Sequence, residues 1–482
     1  MELGQTRSGK ARKRWGHKMG ERMYFGGGAN ESTMHPIVMI ITLLAVILVL
    51  LLPRRKLFAP IMFACLLIPA GAQLNYGGFH LYSPRIIIAS AVVRLLWVTI
   101  VRKEKILEGG LTALDRTFTI WALWRAFAFV ALLKDPAAIP NQVAFLLDSY
   151  GGYLLFRYLL RDERDVLAAL KTMVPIVGII AVCMLYEHLT RVNVFNLIRT
   201  AEIEPWVRGT RVRAQGPFGQ SITAGCLGAT LLPLFVWLCK SRKTTAVGIL
   251  GVGAAFLVTV SSVASTPLTA CLCACLAMAF WYVRRYMRAV RWAVCSGIVV
   301  LALVMKAPVW YLLARVDFVG GHSWDRAFLV DQFAVHLGDW WLFGTTENAS
   351  WGYSTWDTCN QFIHEAALGG VAALGLFVLL FYHGFSMIGR ARKRVSGDSK
   401  AEWGGWCLGA GLFTHLVAFQ GVAYFDTLQV WWLCFLAMIP AVTSSCTRRV
   451  DQKMSGTDLT SPADLEEYRP INEEEWSRPL PV

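Results

Sequence analysis

Apolar residues in this chain come in thirteen long runs, set one after another between residues 37 and 446. A soluble domain has no use for so much uninterrupted apolar sequence. A bilayer does, because roughly 20 helical residues are needed to cross its hydrocarbon core. The runs cover 37–52, 57–74, 86–101, 117–133, 142–160, 166–187, 221–239, 245–264, 267–283, 292–308, 361–384, 404–422 and 428–446. None alternates polar with apolar residues, which excludes a transmembrane barrel. The expected fold class is an all-α polytopic membrane protein with about 12–13 transmembrane helices.

The formal net charge of +15 does not point to nucleic acid, because the basic residues are dealt out in short clusters between the runs. "PRRK" at 53–56, "RKEK" at 102–105, "RDERD" at 161–165, "KSRK" at 240–243, "RRYMRAVR" at 284–291 and "GRARKR" at 389–394 follow every second run. The positive-inside rule assigns all six to the cytoplasm. The other connectors are then external: 75–85, 134–141, 188–220, a short break at Ser265–Pro267, 309–360 and 423–427. Counting back places the N-terminus outside, although residues 1–33 carry seven Lys/Arg against three acids. Either the first run does not cross fully, or this segment is not translated and the chain starts at Met34. The resulting division is a basic segment 1–33, a transmembrane domain 34–446 and a disordered, acidic cytoplasmic tail 447–482.

Most of the twelve cysteines, including those of "CLCAC" at 271–275, sit inside runs without a His or acidic partner. They are expected to pack as small apolar residues, and no metal site is expected.

Two external loops hold most of the remaining chemistry. The first, 188–220, supplies Arg199, Arg208, Arg211 and Arg213, followed by Gly216, Pro217 and Gly219 at the mouth of the next run. That helix opens toward the loop, so its unpaired N–H groups and positive dipole end lie beside Arg213. Such an end attracts phosphate, and the planar guanidinium fork suits phosphate oxygens. Gly216 and Gly219 would let a ligand approach the backbone. The competing reading is headgroup anchoring by snorkelling arginines.

The second loop, 309–360, is rich in Trp and Tyr, which form either a sugar-stacking platform or an interfacial belt. Trp340 and Trp341 are assigned to the belt, whereas Trp351, Tyr353 and Trp356 lie among Gly, Ser and Asn. "SWDRAFLVDQF" at 323–333 adds Arg326 as a further cation and Asp331 as a possible base. "WDTCNQFIHEAALGG" at 356–370 leads into the next run, with His364 and Glu365 about one turn inside. An ionisable pair at that depth is either functional or a satisfied core pair. Arg94, Arg125, Asp148 and Arg157 also fall inside runs, Arg125 being expected to pair with Asp148. A transporter would use such charges as a relay, which defines the competing function: a transporter or flippase for a lipid-linked or anionic solute.

Taken in order, "YEHLTRVNVFN" (186–196), "RAQGPFGQSITAG" (213–225), "DRAFLVDQF" with "DWWLFGT" (325–345) and "NQFIHEAALGG" (360–370) resemble the O-antigen ligase/polymerase superfamily. Glu187 and Asn193 match a Glu closing one span before a "tG.N.f" stretch. Arg213, Gly216 and Phe218 match the "R..G.f" that opens the next. Arg326 and Gly344 match an Arg preceding "p..G.G" in the large loop. The resemblance covers roughly 145–385 and implies a fold related to C-type glycosyltransferases.

It also implies an activity: a glycan moved from undecaprenyl diphosphate to an acceptor sugar hydroxyl at the periplasmic face of a bacterial inner membrane, without metal or other cofactor. The acceptor would be another glycan or a lipid A core, in O-antigen or exopolysaccharide assembly. The first external connector, 75–85, contains no carboxylate, which favours this branch over enzymes that use polyprenyl monophosphates. The family's usual "HN" reads Cys359–Asn360 here, so His364, one turn on, is the expected base, with Asp331 or Asp357 as substitutes. Arg213 and Arg326 would stabilise the departing diphosphate. Arg211, Gly216, Asn360 and Trp356 would bind substrate.

Overall fold

The computed structural model describes residues 34–76, 79–200, 203–204, 206–315 and 323–454. The basic segment 1–33 and the tail beyond 454 lie outside the described residues, so the expectations placed on them stay where the sequence left them. The chain begins with α1 (Pro36–Leu51) and α2 (Phe58–Leu67), then an antiparallel hairpin, β1 (Gln73–Tyr76) and β2 (Phe79–Tyr82). Next come α3 (Ser83–Val101), α4 (Ala113–Leu133), α5 (Ala138–Leu146), one π-helical turn (Leu147–Gly151), α6 (Gly152–Leu159) and α7 (Glu163–Thr190). A second hairpin, β3 (Trp206–Arg208) with β4 (Arg211–Arg213), precedes α8 (Ser221–Leu238), α9 (Thr245–Ser261), α10 (Ser265–Ala279) and α11 (Met287–Val304). The large connector holds α12 (Ser323–Val335) and α13 (Leu337–Trp340), and α14 (Gln361–Arg394), α15 (Ser399–Ala418) and α16 (Asp426–Met454) complete the bundle.

All thirteen apolar runs contain helix, because length and apolarity leave the backbone no other way to satisfy its polar groups in lipid. Among the described residues, seven helical stretches are long and apolar enough to cross a membrane: Ser83–Val101, Ala113–Leu133, Glu163–Thr190, Ser221–Leu238, Ser265–Val304, Gln361–Arg394 and Thr427–Arg449. The architecture is that of a mostly helical polytopic protein. Helix α8 is the centre, buried on nearly every side against α9, α10 and α15. At the other extreme α11 buries nothing, and Trp292, Val299 and Leu303 stand exposed on it. A helix apolar all round and bare of protein fits a lipid environment. One connector differs from expectation: "RRYMRAVR" is not a loop, because a 3-10 segment (Phe280–Tyr286) runs straight into α11, with Arg284 stacked over Trp281 at 4.0 Å.

The basic clusters meet at one end of the bundle. Arg54 pairs with Asp165 at 2.8 Å, Arg161 with Glu104 at 3.4 Å, and Arg448 with Glu108 at 3.1 Å. Nearby, Arg284 and Arg392 share Glu402 at 3.2 and 3.1 Å.

Inside the bundle the charges pair differently from the expected scheme. Asp148 binds Arg85 at 2.6 Å, whereas Arg125 lies 3.5 Å from Glu365, so the expected Arg125–Asp148 pair does not form. Asp148 lies within the π turn and faces Arg85 of α3. Arg125 turns the other way and stacks over Phe145 at 4.3 Å. Arg157 is held by Asp115 at 2.9 Å, with the Tyr153 hydroxyl donating to the same carboxylate at 2.6 Å. Arg94 donates to the Val49 carbonyl. These are separate, local contacts rather than a continuous relay, and Arg157 Nη1 has no partner among the described residues.

Candidate functional site

The end opposite the basic clusters carries both loops. In the first, strand alternation buries Val212 of β4 and leaves Arg211 exposed and Arg213 half-buried on the other side. The turn after Arg213 hangs from three buried side chains. The Glu187 carboxylate accepts from the Gln215 and Gly216 amides at 3.1 and 2.8 Å. Asn193 donates to the Gly216 carbonyl at 3.0 Å, and Arg199 to the Gly216 and Phe218 carbonyls at 3.0 and 3.2 Å. Gly216 itself has φ +56°, and a Cβ there would sit 3.0 Å from the Met184 side chain. Its backbone groups are therefore spent on the turn, and it does not offer the ligand approach expected of it. Glu187, Asn193 and Arg199 fix where Arg213 can point.

Beyond the turn, the N-cap residue of α8, Gln220, supplies no side-chain hydrogen bond. Among the described residues, no side chain caps the first N–H groups of that helix. Helix α14 is the opposite case: Asn360 accepts from the Phe362 and Ile363 amides at 2.9 and 3.4 Å. Asn360 is a buried N-cap, and its Nδ2 turns to Gln420. The N-terminus of α14 is thus closed by its own residue.

The second loop folds on a small core of its own, built from Leu329, Phe333, Trp340, Ala366 and Ala367. Trp340 is buried and donates to the Phe333 carbonyl at 2.7 Å, so it is a packing residue and not part of a belt. Trp351 stacks on His336 at 4.6 Å, whereas Tyr353 and Trp356 are 76% and 71% exposed and free to meet a ligand.

This loop is docked into a break in α14. Gly370 adopts φ +67°, ψ −166°, which ends the helix ladder. The Thr345 amide then donates to the Ala367 carbonyl at 2.8 Å, the Val371 amide to the Trp341 carbonyl at 2.9 Å, and the Trp124 indole to the Gly369 carbonyl at 2.9 Å. The approach is close: a Cβ on Gly344 would lie 2.1 Å from the Ala367 oxygen.

The docking brings the two loops together. Arg326, on α12, lies close enough for its charge to reach Cys359 and Asp357, Cys226 in the second turn of α8, and Arg213. Burial, followed by the like charges of Arg208 and Arg326, pulls the Arg213 guanidinium down to about 10, still fully charged at neutral pH. Its Nε is buried with no partner among the described residues. Burial raises the Cys359 thiol, which is therefore neutral at neutral pH.

His364 lies in the short stub of α14 before the break. Its Nδ1 is 2.9 Å from the Thr358 hydroxyl and its Nε2 3.4 Å from the Arg125 guanidinium. A guanidinium only donates, so Nε2 accepts and the proton resides on Nδ1. Asp331 is half-buried on α12, and burial followed by its charge raises the Tyr311 hydroxyl. The site therefore unites Arg213, Arg326, Asp357 and Cys359, with Arg208 beside them, while Arg211 is exposed at its edge. Thr358, which with Arg125 fixes the His364 ring, was missed from sequence, and Arg125 was named there only as a buried charge, not as a neighbour of His364.

No protein-family model matches the chain, and no curated protein is similar enough to count as a relative.

Proposed function

We propose that this protein is a polytopic glycosyltransferase of the O-antigen ligase/polymerase type, with 12–13 spans in a bacterial inner membrane and its site on the periplasmic side. The reading is carried by half-buried Arg213, whose Nε has no partner among the described residues and whose charge is felt by Arg326 of the other loop, at the turn that leads into α8. Like charges gathered under partial burial cost free energy, and an anionic ligand recovers it. Fork-shaped donors at a helix N-terminus suit a diphosphate.

In the reaction, an acceptor sugar hydroxyl attacks the anomeric carbon of a glycan held on undecaprenyl diphosphate. The new C–O bond forms as the bond to the diphosphate oxygen breaks, and the electron pair leaves on the diphosphate, where Arg213 and Arg326 stabilise it. The hydroxyl proton passes to a base on the opposite face, with inversion. Asp357 is favoured for this over His364, because it is open to the surface beside Arg326 while Nε2 of His364 already faces a cation. Tyr353 and Trp356 offer exposed rings for the glycan chain.

The transporter reading has one supporting observation, a buried polar chain from Arg125 through Glu365 to Gln361 and the Tyr424 amide. Gln361 carries an amide side chain, which holds a position but does not pass protons, and this weakens it. Purified protein incubated with radiolabelled undecaprenyl-diphosphate glycan and an acceptor glycan should release undecaprenyl diphosphate and lengthen the acceptor. Transport of the intact lipid without bond cleavage would overturn the transferase reading.

A further inference from the structure

A cavity of about 180 Å3 lies between α3, the π turn and the start of α16, away from Arg213 and Arg326. On its polar side stand Arg85 and Asp148, joined by three hydrogen bonds: Nε to Oδ1 at 3.1 Å, Nε to Oδ2 at 2.9 Å and Nη2 to Oδ2 at 2.6 Å. Gln429 also lines it, anchored by a hydrogen bond to Ser149 at 3.0 Å. Thr427 completes that side, a residue 3% exposed whose hydroxyl has no partner among the described residues. The other walls are apolar: Ile88, Val430 and Leu433.

Three physical points limit what fits. The Arg85–Asp148 pair is neutral overall, so an anion or a cation entering would find its counter-charge already taken. Yet each group retains hydrogen-bonding capacity, the carboxylate as acceptor and the guanidinium as donor. The unpartnered Thr427 hydroxyl costs free energy unless a ligand or water completes it. The volume is well below the roughly 300–1,000 Å3 of pockets that take drug-sized ligands, and suits one ring. A neutral ring with hydroxyls on its edge and C–H groups on its faces meets all three conditions.

We infer that this cavity is a subsite for one neutral sugar residue, and that on the transferase reading it holds the end of the acceptor glycan. Its wall is continuous with the catalytic loop: the Ala70 amide, in the cavity lining, donates to the Pro217 carbonyl at 2.8 Å, in the turn that aims Arg213. Asp148 reaches the subsite from the π turn at Leu147–Gly151.

The test is saturation-transfer NMR on the full chain in detergent, using the methyl glycosides of glucose, galactose, mannose and N-acetylglucosamine as probes. At least one should receive magnetisation from the wild type, and the signal should fall at least fivefold in Asp148→Asn and in Thr427→Val. Thr427→Val removes a single oxygen at nearly constant volume, so it reports even if loss of the Asp148 charge unfolds the chain. Arg213→Ala should keep glycoside binding. No signal from any of the four, or a signal that survives Thr427→Val, overturns the inference. Glycoside binding without transfer from labelled donor lipid would sink the transferase reading and leave the subsite standing. Transfer without glycoside binding would sink the subsite alone.

Discussion

The Arg125 guanidinium lies 3.5 Å from the fully buried Glu365 carboxylate, which also accepts from the Trp121 indole at 3.0 Å and the Gln361 amide at 2.7 Å. A buried ion pair completed by further hydrogen bonds is costly to break singly, since either partner alone becomes an unpaired charge. Thermal unfolding of Arg125→Met, Glu365→Gln and the double variant should give strongly non-additive shifts, and Arg85→Met with Asp148→Asn should do likewise. Arg125→Met with Asp148→Asn should be additive to within about 0.5 kcal/mol. Coupling in that last pair would contradict the pairing described above.

Removing a group that stabilises the departing charge costs about 10²–10³ in rate. Arg213→Ala should lower transfer by that order, and cells carrying it should lose surface polysaccharide. Arg213→Lys is the finer probe. Burial and the neighbouring cations hold the native guanidinium near about 10. Lysine starts lower, at about 10.4 against 12.5 or more for arginine, so the same surroundings deprotonate it at lower pH. The cation is present below its pKa and lost above it, so Arg213→Lys should lose transfer on the alkaline side at a pH where the wild type is still active. Coincident pH profiles would remove Arg213 from the site.

Steady-state kinetics separate the two candidate bases. Asp357→Asn should lower kcat by about 10²–10⁴ with KM for the donor little changed. His364→Ala should have the smaller effect, because its acceptor nitrogen is turned to Arg125. The reverse order would return the role of base to His364.

Gly344→Ala and Gly370→Ala force a Cβ to 2.1 Å from the Ala367 oxygen and 2.3 Å from the Leu342 oxygen. Neither backbone can give way without undocking the loop. Both variants should be destabilised by at least about 1–3 kcal/mol and be cleaved faster than wild type by protease between residues 341 and 345. An intact loop in either would mean that the docking contacts are dispensable.

Treating the purified protein with a chelator should leave transfer unchanged. Inhibition restored by one divalent cation would reveal a metal-dependent step.

Much of the helical framework was legible because each apolar run carries its own evidence: length and composition alone demand a helix in lipid, whatever the neighbours do. Partners of buried charge were not legible, since Arg85 with Asp148 and Arg125 with Glu365 depend on how distant helices rotate against one another. The arginines of the two loops could be named from sequence, but not that Glu187, Asn193 and Arg199 are the frame that aims Arg213. The break in α14 had a visible signal, the Gly369–Gly370 doublet inside an apolar run, which marks a place where backbone departs from the helix. Trp340 and Trp341 look alike in sequence, yet one is core and the other surface, because only Trp340 finds a buried acceptor.

The interruption at Gly370 divides the allegiance of α14. Residues 361–369 carry His364 and Glu365 but lack the continuous ladder of the long segment beyond. They are spliced to it through contacts supplied by residues 341 and 345, while Glu365 and Gln361 anchor them to α4 and to the segment 419–424. Whatever loosens that loop, a bound glycan or a passing lipid, would open the splice while those anchors hold, and amide exchange at 345 and 371 would report it.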